Sequence, residues 1–141
     1  MVVNIVDRII YQIAESVSPN IKHNDTVEQI EMIFRRNGYH TTREYPIFKM
    51  KDKPERAGRI DLVARKGKFR VTVEYDHHRL IKWKSFQKMV QLKPEIAIAI
   101  TRDGYMKPNI ERANKYKTNL PLYLISLREK KYELVGGPKE I

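Results

Sequence analysis

The chain of 141 residues contains no cysteine, one tryptophan and no long hydrophobic run. Without cysteine it can hold neither a disulfide framework nor a cysteine-ligated metal centre, and thiol catalysis is excluded. The longest apolar stretch, Ile96 to Ile100, is far below the roughly 18 to 20 residues that a membrane-spanning helix needs. The N-terminus also lacks the residue order of a secretory signal. We therefore expect an intracellular, cytoplasmic protein with no membrane segment.

Glycine is scarce as well, with six residues, and none forms a Walker-type loop, a dinucleotide-binding loop or a nucleophile elbow. The sequence thus gives no indication of nucleotide binding or of a serine hydrolase. The length fits one domain over residues 1–141, with a core large enough to need no covalent staple.

Acidic residues are outnumbered, with 17 Asp and Glu against 28 Lys and Arg, which gives a net charge of +11. The formal charge is −1 over residues 1–38, +9 over residues 39–93 and +3 over residues 94–141. A basic block attracts polyanions, because each phosphate that it neutralises releases condensed counterions. The charge therefore predicts nucleic-acid binding, although a heavily charged thermophile surface would have a similar composition.

The hydrophobic periodicity predicts a mixture of helices and strands. The predicted helices cover residues 2–17, 26–37, 83–92 and 109–117, and the predicted strands cover residues 39–50, 60–65, 69–76, 96–100, 122–126 and 132–135. A strand meander followed by strand–helix–strand units predicts an α/β fold in the order ααβββαβαβ(β), with a mixed β-sheet flanked by helices.

The first two helices carry further predictions. Residues 1–18 form an amphipathic segment whose apolar face needs a partner, and we predict that this face contributes to a homodimer contact. The second helix is predicted to begin after an N-cap at Asp25, with Glu28 available for a capping box.

Carboxylates lie in two of the predicted strands. Asp61 sits among apolar neighbours in residues 60–65, where an unpaired charge is costly. In the next strand the alternation puts Glu74 and Asp76 on one face. If the two strands pair through the turn at residues 66–68, Asp61 and Glu74 converge on one point. Clustered carboxylates are typical ligands of a hard cation, so the pattern predicts a Mg²⁺ or Mn²⁺ site.

From the second helix to Ile100, the chain resembles the PD-(D/E)XK nuclease superfamily, most closely the archaeal Holliday-junction resolvases. The resemblance lies in Ile60-Asp61-Leu62-Val63-Ala64, a Gly-Lys turn and Val73-Glu74-Tyr75-Asp76, in that order of elements. It implies a restriction-endonuclease-like fold and a divalent-metal-dependent endonuclease that hydrolyses DNA, on branched or structured substrates. It also implies that Asp61, Glu74 and the Tyr75 carbonyl hold the metal, with Glu28 as a helper on the helix.

One position departs from the superfamily motif, because Asp76 replaces the lysine that normally follows the second acid by two residues. Asp76 is then either an additional catalytic acid, or the mark of an inactive nuclease-fold protein that only binds nucleic acid. A lysine of the following helix, Lys84 or Lys88, is a third source of positive charge. Both lie opposite the apolar side of that helix, which favours a solvated face for them instead.

Basic residues on both sides of the acids are predicted to contact phosphates. They are Lys49, Lys51, Lys53, Arg56, Arg59, Arg79, Lys82 and Lys84. His77 and His78 are adjacent and face opposite ways on an extended chain, so at most one of them is expected near the metal.

Overall fold

The computed structural model describes residues 2–18, 22–48, 56–116 and 119–136, with side chains from Val6 onward except at Phe48, Arg56 and Ala57. Helices and strands follow the predicted order along the chain. The elements are α1 (Val2–Ser16), α2 (His23–Arg36), β1 (His40–Phe48), β2 (Arg56–Lys66), β3 (Phe69–Asp76), α3 (Trp83–Gln91), β4 (Ile96–Thr101), α4 (Met106–Tyr116), β5 (Pro121–Ser126) and β6 (Lys131–Gly136).

The six strands form one sheet in which they lie side by side in chain order. β1, β2 and β3 pair antiparallel as a meander. β3, β4 and β5 then run parallel, with α3 and α4 in the two connections, and β6 returns antiparallel to β5. Parallel neighbours need such crossover connections, because a short turn can join only antiparallel strands. The predicted α/β fold, a mixed sheet flanked by helices, is confirmed at this level.

Helices cover both faces of the sheet. One core contains the apolar sides of α1 and α2 together with Ile96, Ile98 and Ile100 of β4. The second core contains residues of α3 and α4 together with Ala97 and Ala99 of the same strand. β4 is therefore buried on both faces, as expected for the centre of a parallel layer. Within the described ranges, no helix is long and apolar enough to cross a membrane.

The proposed role of the first helix in a dimer contact loses its basis. Val6, Ile9, Ile10 and Ile13 are all fully buried in the core that α1 shares with α2 and the sheet. The described part of this apolar face thus packs within the chain and is not available to a second copy. A homodimer stays a prediction without this support.

Several element boundaries differ from those predicted, since tertiary contacts extend the elements. α2 begins at His23 with Lys22 as its N-cap residue, and the prediction of an N-cap at Asp25 was wrong. Thr26, fully buried, donates its N–H to the Lys22 carbonyl over 2.9 Å and so belongs inside the helix. α4 begins three residues before the predicted start, where the Met106 N–H donates to the Glu129 carboxylate over 2.6 Å.

Candidate active site

The site forms where β2 and β3 diverge. Their ladder runs from the Lys66–Phe69 pair to the Leu62–Val73 pair, and it stops before Asp61. Side chains replace the missing main-chain bonds there: the Asp61 N–H donates to Glu74 Oε2 over 2.8 Å, and the Tyr75 N–H donates to Asp61 Oδ2 over 2.7 Å. We refer to Asp61, Glu74 and Tyr75 as the fork. The structure thus brings together the two acids that the sequence predicts to converge.

Glu74 is the buried acid of the fork, with a side chain only 4% exposed. Its Oε1 lies 2.6 Å from Nζ of Lys88, while Oε2 accepts the Asp61 N–H. Burial is the main cause that raises the pKa of Glu74 to about 8, and the charge of Asp61 adds to it, whereas Lys88 lowers it only in part. Both oxygens of this carboxyl are therefore engaged within the protein.

The expectation that Lys88 faces solvent was wrong. Its side chain is 18% exposed, and besides the contact with Glu74 it donates to the Arg59 carbonyl over 2.8 Å. The long methylene stem lets a lysine on the polar side of α3 reach back over β2 to the fork. Lys84 is exposed, as expected, although it also lines the cavity described below.

Asp76, which stands in place of the superfamily lysine, points toward the start of α3. The Ser85 hydroxyl donates to Asp76 Oδ2 over 3.0 Å, and the Lys82 N–H approaches the same oxygen at 3.5 Å. The two donors are the side chain of a first-turn residue and the N–H of the N-cap residue, and the negative charge complements the positive end of the helix dipole. The Asp76 carboxylate is therefore engaged with the start of the helix that carries Lys88.

The helix residue next to the fork is His23, which the sequence analysis did not single out. His23 Nε2 lies 3.2 Å from the Tyr75 carbonyl oxygen and 3.8 Å from Asp61 Oδ2. Placing the N-cap at Asp25 left this residue in a loop. Its spacing from Thr26, Val27 and Ile30, which are buried on one side of α2, was the available signal.

Glu28 lies away from this cluster. It is exposed on α2 and is not among the residues that line the cavity at the fork. The buried acid of the same helix is Glu31, which accepts hydrogen bonds from Thr41 over 2.7 Å and from Arg35 over 3.3 Å. Neither glutamate of α2 is brought to Asp61 and Glu74.

A cavity of about 350 Å³ opens at the fork. Three acids form part of its lining, and lysines and histidines form most of the rest: the residues are His23, Gly58, Asp61, Glu74, Tyr75, Asp76, His77, His78, Lys82, Lys84, Ser85 and Lys88. A larger groove of about 850 Å³ between α1, α4 and β6 is lined by exposed tyrosines with lysines and glutamates in similar number. Only the smaller cavity contains the buried acid and its lysine, so we treat it as the candidate site.

The two histidines after β3 both line this cavity. The His77 ring stacks on the His23 ring with centroids 5.0 Å apart, and His78 is exposed. Burial is the main cause that lowers the pKa of His77, and the charges of Arg102 and His23 lower it further. The His78 carbonyl accepts a hydrogen bond from the buried Thr101, which fixes the loop against β4.

The predicted phosphate contacts fall into three groups. Lys82 and Lys84 are exposed and line the cavity. Arg59 and Arg79 are exposed near it, and Arg59 lies 3.5 Å from Glu44. The remaining four lie where the side chains or the whole residues are outside the described part of the chain: Lys49, Lys51, Lys53 and Arg56.

A divalent cation would need a main-chain oxygen as one of its ligands at this site. In the described ranges, no three His, Asp or Glu side chains are arranged to hold one ion. The Tyr75 carbonyl oxygen and Asp61 Oδ2, however, both lie within 3.8 Å of His23 Nε2, and carboxylate and carbonyl oxygens are the donors that Mg²⁺ and Mn²⁺ accept. Asp61 and the Tyr75 carbonyl thus fit such an ion. Glu74 would have to share an oxygen between the ion and its present partners.

The chain matches no protein-family model, no curated protein and no solved structure.

We expect the buried Glu74 to make the metal-free protein less stable as the pH rises. Its pKa is about 8 in the folded chain and near 4.5 when unfolded, so the folded state holds a proton that the unfolded state releases across this window. The stabilisation is complete below about pH 4.5 and is lost as the pH rises through about 8. Glu74→Gln, which cannot titrate, should therefore gain stability relative to wild type by about 3 to 5 kcal/mol between pH 4.5 and pH 9.

Urea unfolding in EDTA at several pH values measures this difference. Any constant offset that the amide introduces cancels, since only the change with pH is compared. Glu28→Gln is the matched control, because Glu28 is exposed on α2. Equal pH profiles for wild type and Glu74→Gln would contradict the prediction.

Proposed function

We propose that the protein is a divalent-metal-dependent endonuclease that hydrolyses DNA phosphodiester bonds, with a restriction-endonuclease-like fold of the PD-(D/E)XK superfamily. The observation that carries the proposal is the fork: two acids from adjacent strands interlocked through main-chain N–H groups, with a lysine ammonium 2.6 Å from the buried one. Acid, acid and lysine are the chemical set of that superfamily, and here they line one cavity.

Asp76 departs from the superfamily motif, in which a lysine stands at this position. The proposal accommodates this departure, because a lysine of the following helix supplies the missing ammonium group. Asp76 accepts a hydrogen bond from Ser85 at the start of α3, and Lys88 of the same helix brings an ammonium group to Glu74. The positive charge that the strand position lacks is thus supplied from the helix. An ammonium group there can offset the negative charge that develops on a phosphate during hydrolysis.

Asp61 and the Tyr75 carbonyl would hold Mg²⁺ or Mn²⁺, and Glu74 would join them by sharing an oxygen between the ion and its present partners. When bound, such a cation supplies Lewis-acid polarisation of the scissile phosphate and a water molecule acidified toward neutrality. Lys82 and Lys84 at the rim of the cavity would bind flanking phosphates and orient the strand. These contacts carry no sequence information, so the proposal includes no base preference. Branched DNA as a substrate follows from the resemblance to the resolvases alone.

A second candidate is an inactive nuclease-fold protein that binds nucleic acid through the same surface. The observation that favours it is the engagement of both Glu74 oxygens by Lys88 and the Asp61 N–H, which leaves Glu74 no unoccupied oxygen for an ion.

The test incubates the purified chain with supercoiled, linear and four-way-junction DNA in Mg²⁺, Mn²⁺ or EDTA, with binding measured over a range of salt. We expect cleavage with a metal, none in EDTA, and affinity that falls steeply as salt rises. Salt-dependent binding without cleavage in any metal would favour the inactive protein. If the chain neither binds nor cleaves any of these DNAs, both candidate functions are overturned.

A further inference from the structure

We propose that His23 is a nitrogen ligand of the divalent cation, and that it gives the site a preference for Mn²⁺ over Mg²⁺. The inference rests on the proposed function, whose metal it specifies.

Geometry points to this role for His23. Its Nε2 atom is 3.2 Å from the Tyr75 carbonyl oxygen and 3.8 Å from Asp61 Oδ2, the two oxygens that fit a cation best. Neighbouring ligands of one octahedral ion, each about 2.1 Å from it, lie about 3 Å apart. The separation of His23 Nε2 from the Tyr75 carbonyl oxygen is close to this spacing, and its separation from Asp61 Oδ2 is less than 1 Å longer.

The environment of the ring also suits a ligand. The side chain is 33% exposed and lines the cavity, so it is not a buried core histidine. Stacking on His77, with centroids 5.0 Å apart, and contact with the Tyr75 ring at 5.2 Å hold the imidazole in place. Ring contacts on two sides restrict the orientations that the imidazole can take. The backbone of His23 is fixed in turn by the first turn of α2, where Thr26 is fully buried.

The nitrogen atom sets the expected selectivity. Mg²⁺ binds oxygen almost exclusively, whereas transition cations accept imidazole nitrogen readily. A site with one imidazole, one carboxylate and one carbonyl should therefore hold Mn²⁺ more tightly than Mg²⁺. A glutamate in place of His23 would remove this difference.

Mn²⁺ itself is the probe, since its unpaired electrons report directly on a bound nitrogen. Electron spin-echo envelope modulation of the wild-type complex should show ¹⁴N coupling from one imidazole, and His23→Gln should lose it. The Kd for Mn²⁺, titrated by electron paramagnetic resonance, should rise at least about tenfold in His23→Gln, with a smaller change for Mg²⁺. His23→Glu should keep binding but shift the preference toward Mg²⁺, which keeps the test valid if the glutamine variant folds poorly.

Controls separate His23 from the other histidines and from the proposed function. His78→Gln tests an exposed histidine of the same cavity, and His40→Gln tests an exposed histidine at the start of β1; both should retain the ¹⁴N coupling. Coupling that survives in His23→Gln would overturn the inference. So would Mn²⁺ binding that depends on Asp61 but shows no ¹⁴N coupling in wild type, a result that leaves the nuclease proposal standing. If no Mn²⁺ binds at all, the inference and the metal-dependent function fail together.

Discussion

Asp61→Asn is expected to reduce metal-dependent DNA cleavage by on the order of 10³-fold while DNA binding stays within about threefold of wild type. The substitution removes the negative charge that would bind a cation. It keeps a side-chain oxygen that can accept the Tyr75 N–H, so the hydrogen bond between the two strands is retained. The proposed function assigns DNA binding to the lysines that line the cavity, Lys82 and Lys84, and the substitution leaves these unchanged. Initial cleavage rates under single-turnover conditions, with binding measured in EDTA, give the two quantities separately.

The matched control is Asp25→Asn, which removes an exposed acid from the first turn of α2, outside the residues that line the cavity. It should cleave DNA at the wild-type rate. Wild-type cleavage by Asp61→Asn, with a normal thermal unfolding profile, would exclude Asp61 as a metal ligand and with it the nuclease proposal.

Among these substitutions, Lys88→Met should lower the free energy of unfolding the most. This loss should be larger at high pH than at low pH. At about pH 9 the wild type buries an ionised Glu74 against the Lys88 ammonium, and removal of one partner of a buried pair costs about 3 kcal/mol. At about pH 6 Glu74 is protonated, so the variant loses mainly hydrogen bonds, worth about 1 kcal/mol. Urea unfolding in EDTA at the two pH values measures both losses.

Two variants make this result specific. In Lys88→Met combined with Glu74→Gln neither charge of this pair is left, so the loss should no longer depend on pH. Lys84→Met removes an exposed lysine from the same helix and the same cavity and should change stability by less than about 0.5 kcal/mol. A pH-independent loss in Lys88→Met alone would show that its ammonium does not sense the charge of Glu74.

The strand pattern was sufficient to predict where the acids meet. A side-chain period of two and a tight turn at Gly67 fix the register of β2 against β3, so Asp61 and Glu74 had to lie near one another. The helical and strand periodicities together predicted the order of elements. These features depend on local patterns, which the chain carries residue by residue.

Lys88 was assigned to a solvated face and His23 was not singled out, because their positions depend on contacts between distant segments. The helical periodicity placed Lys88 on the polar side of α3. That periodicity carries no information on β2, the strand over which the Lys88 side chain extends. His23 lies inside α2 because the helix begins after the Lys22 N-cap, with Thr26 buried in its first turn. The sequence had favoured a later start, because aspartate is a preferred N-cap residue and Asp25 was the strongest local signal. Both errors concern long-range geometry, which sequence spacing does not contain.

The fork also constrains which sequences can descend from this one. The N–H groups of Asp61 and Tyr75 have no strand partner and depend on carboxylate oxygens, so an apolar residue at either acid would leave a donor unsatisfied at a cost of about 1 to 3 kcal/mol. A lineage released from selection for chemistry would therefore keep an oxygen at both positions for folding alone. Asparagine and glutamine would be the first replacements to accumulate, well before alanine or valine.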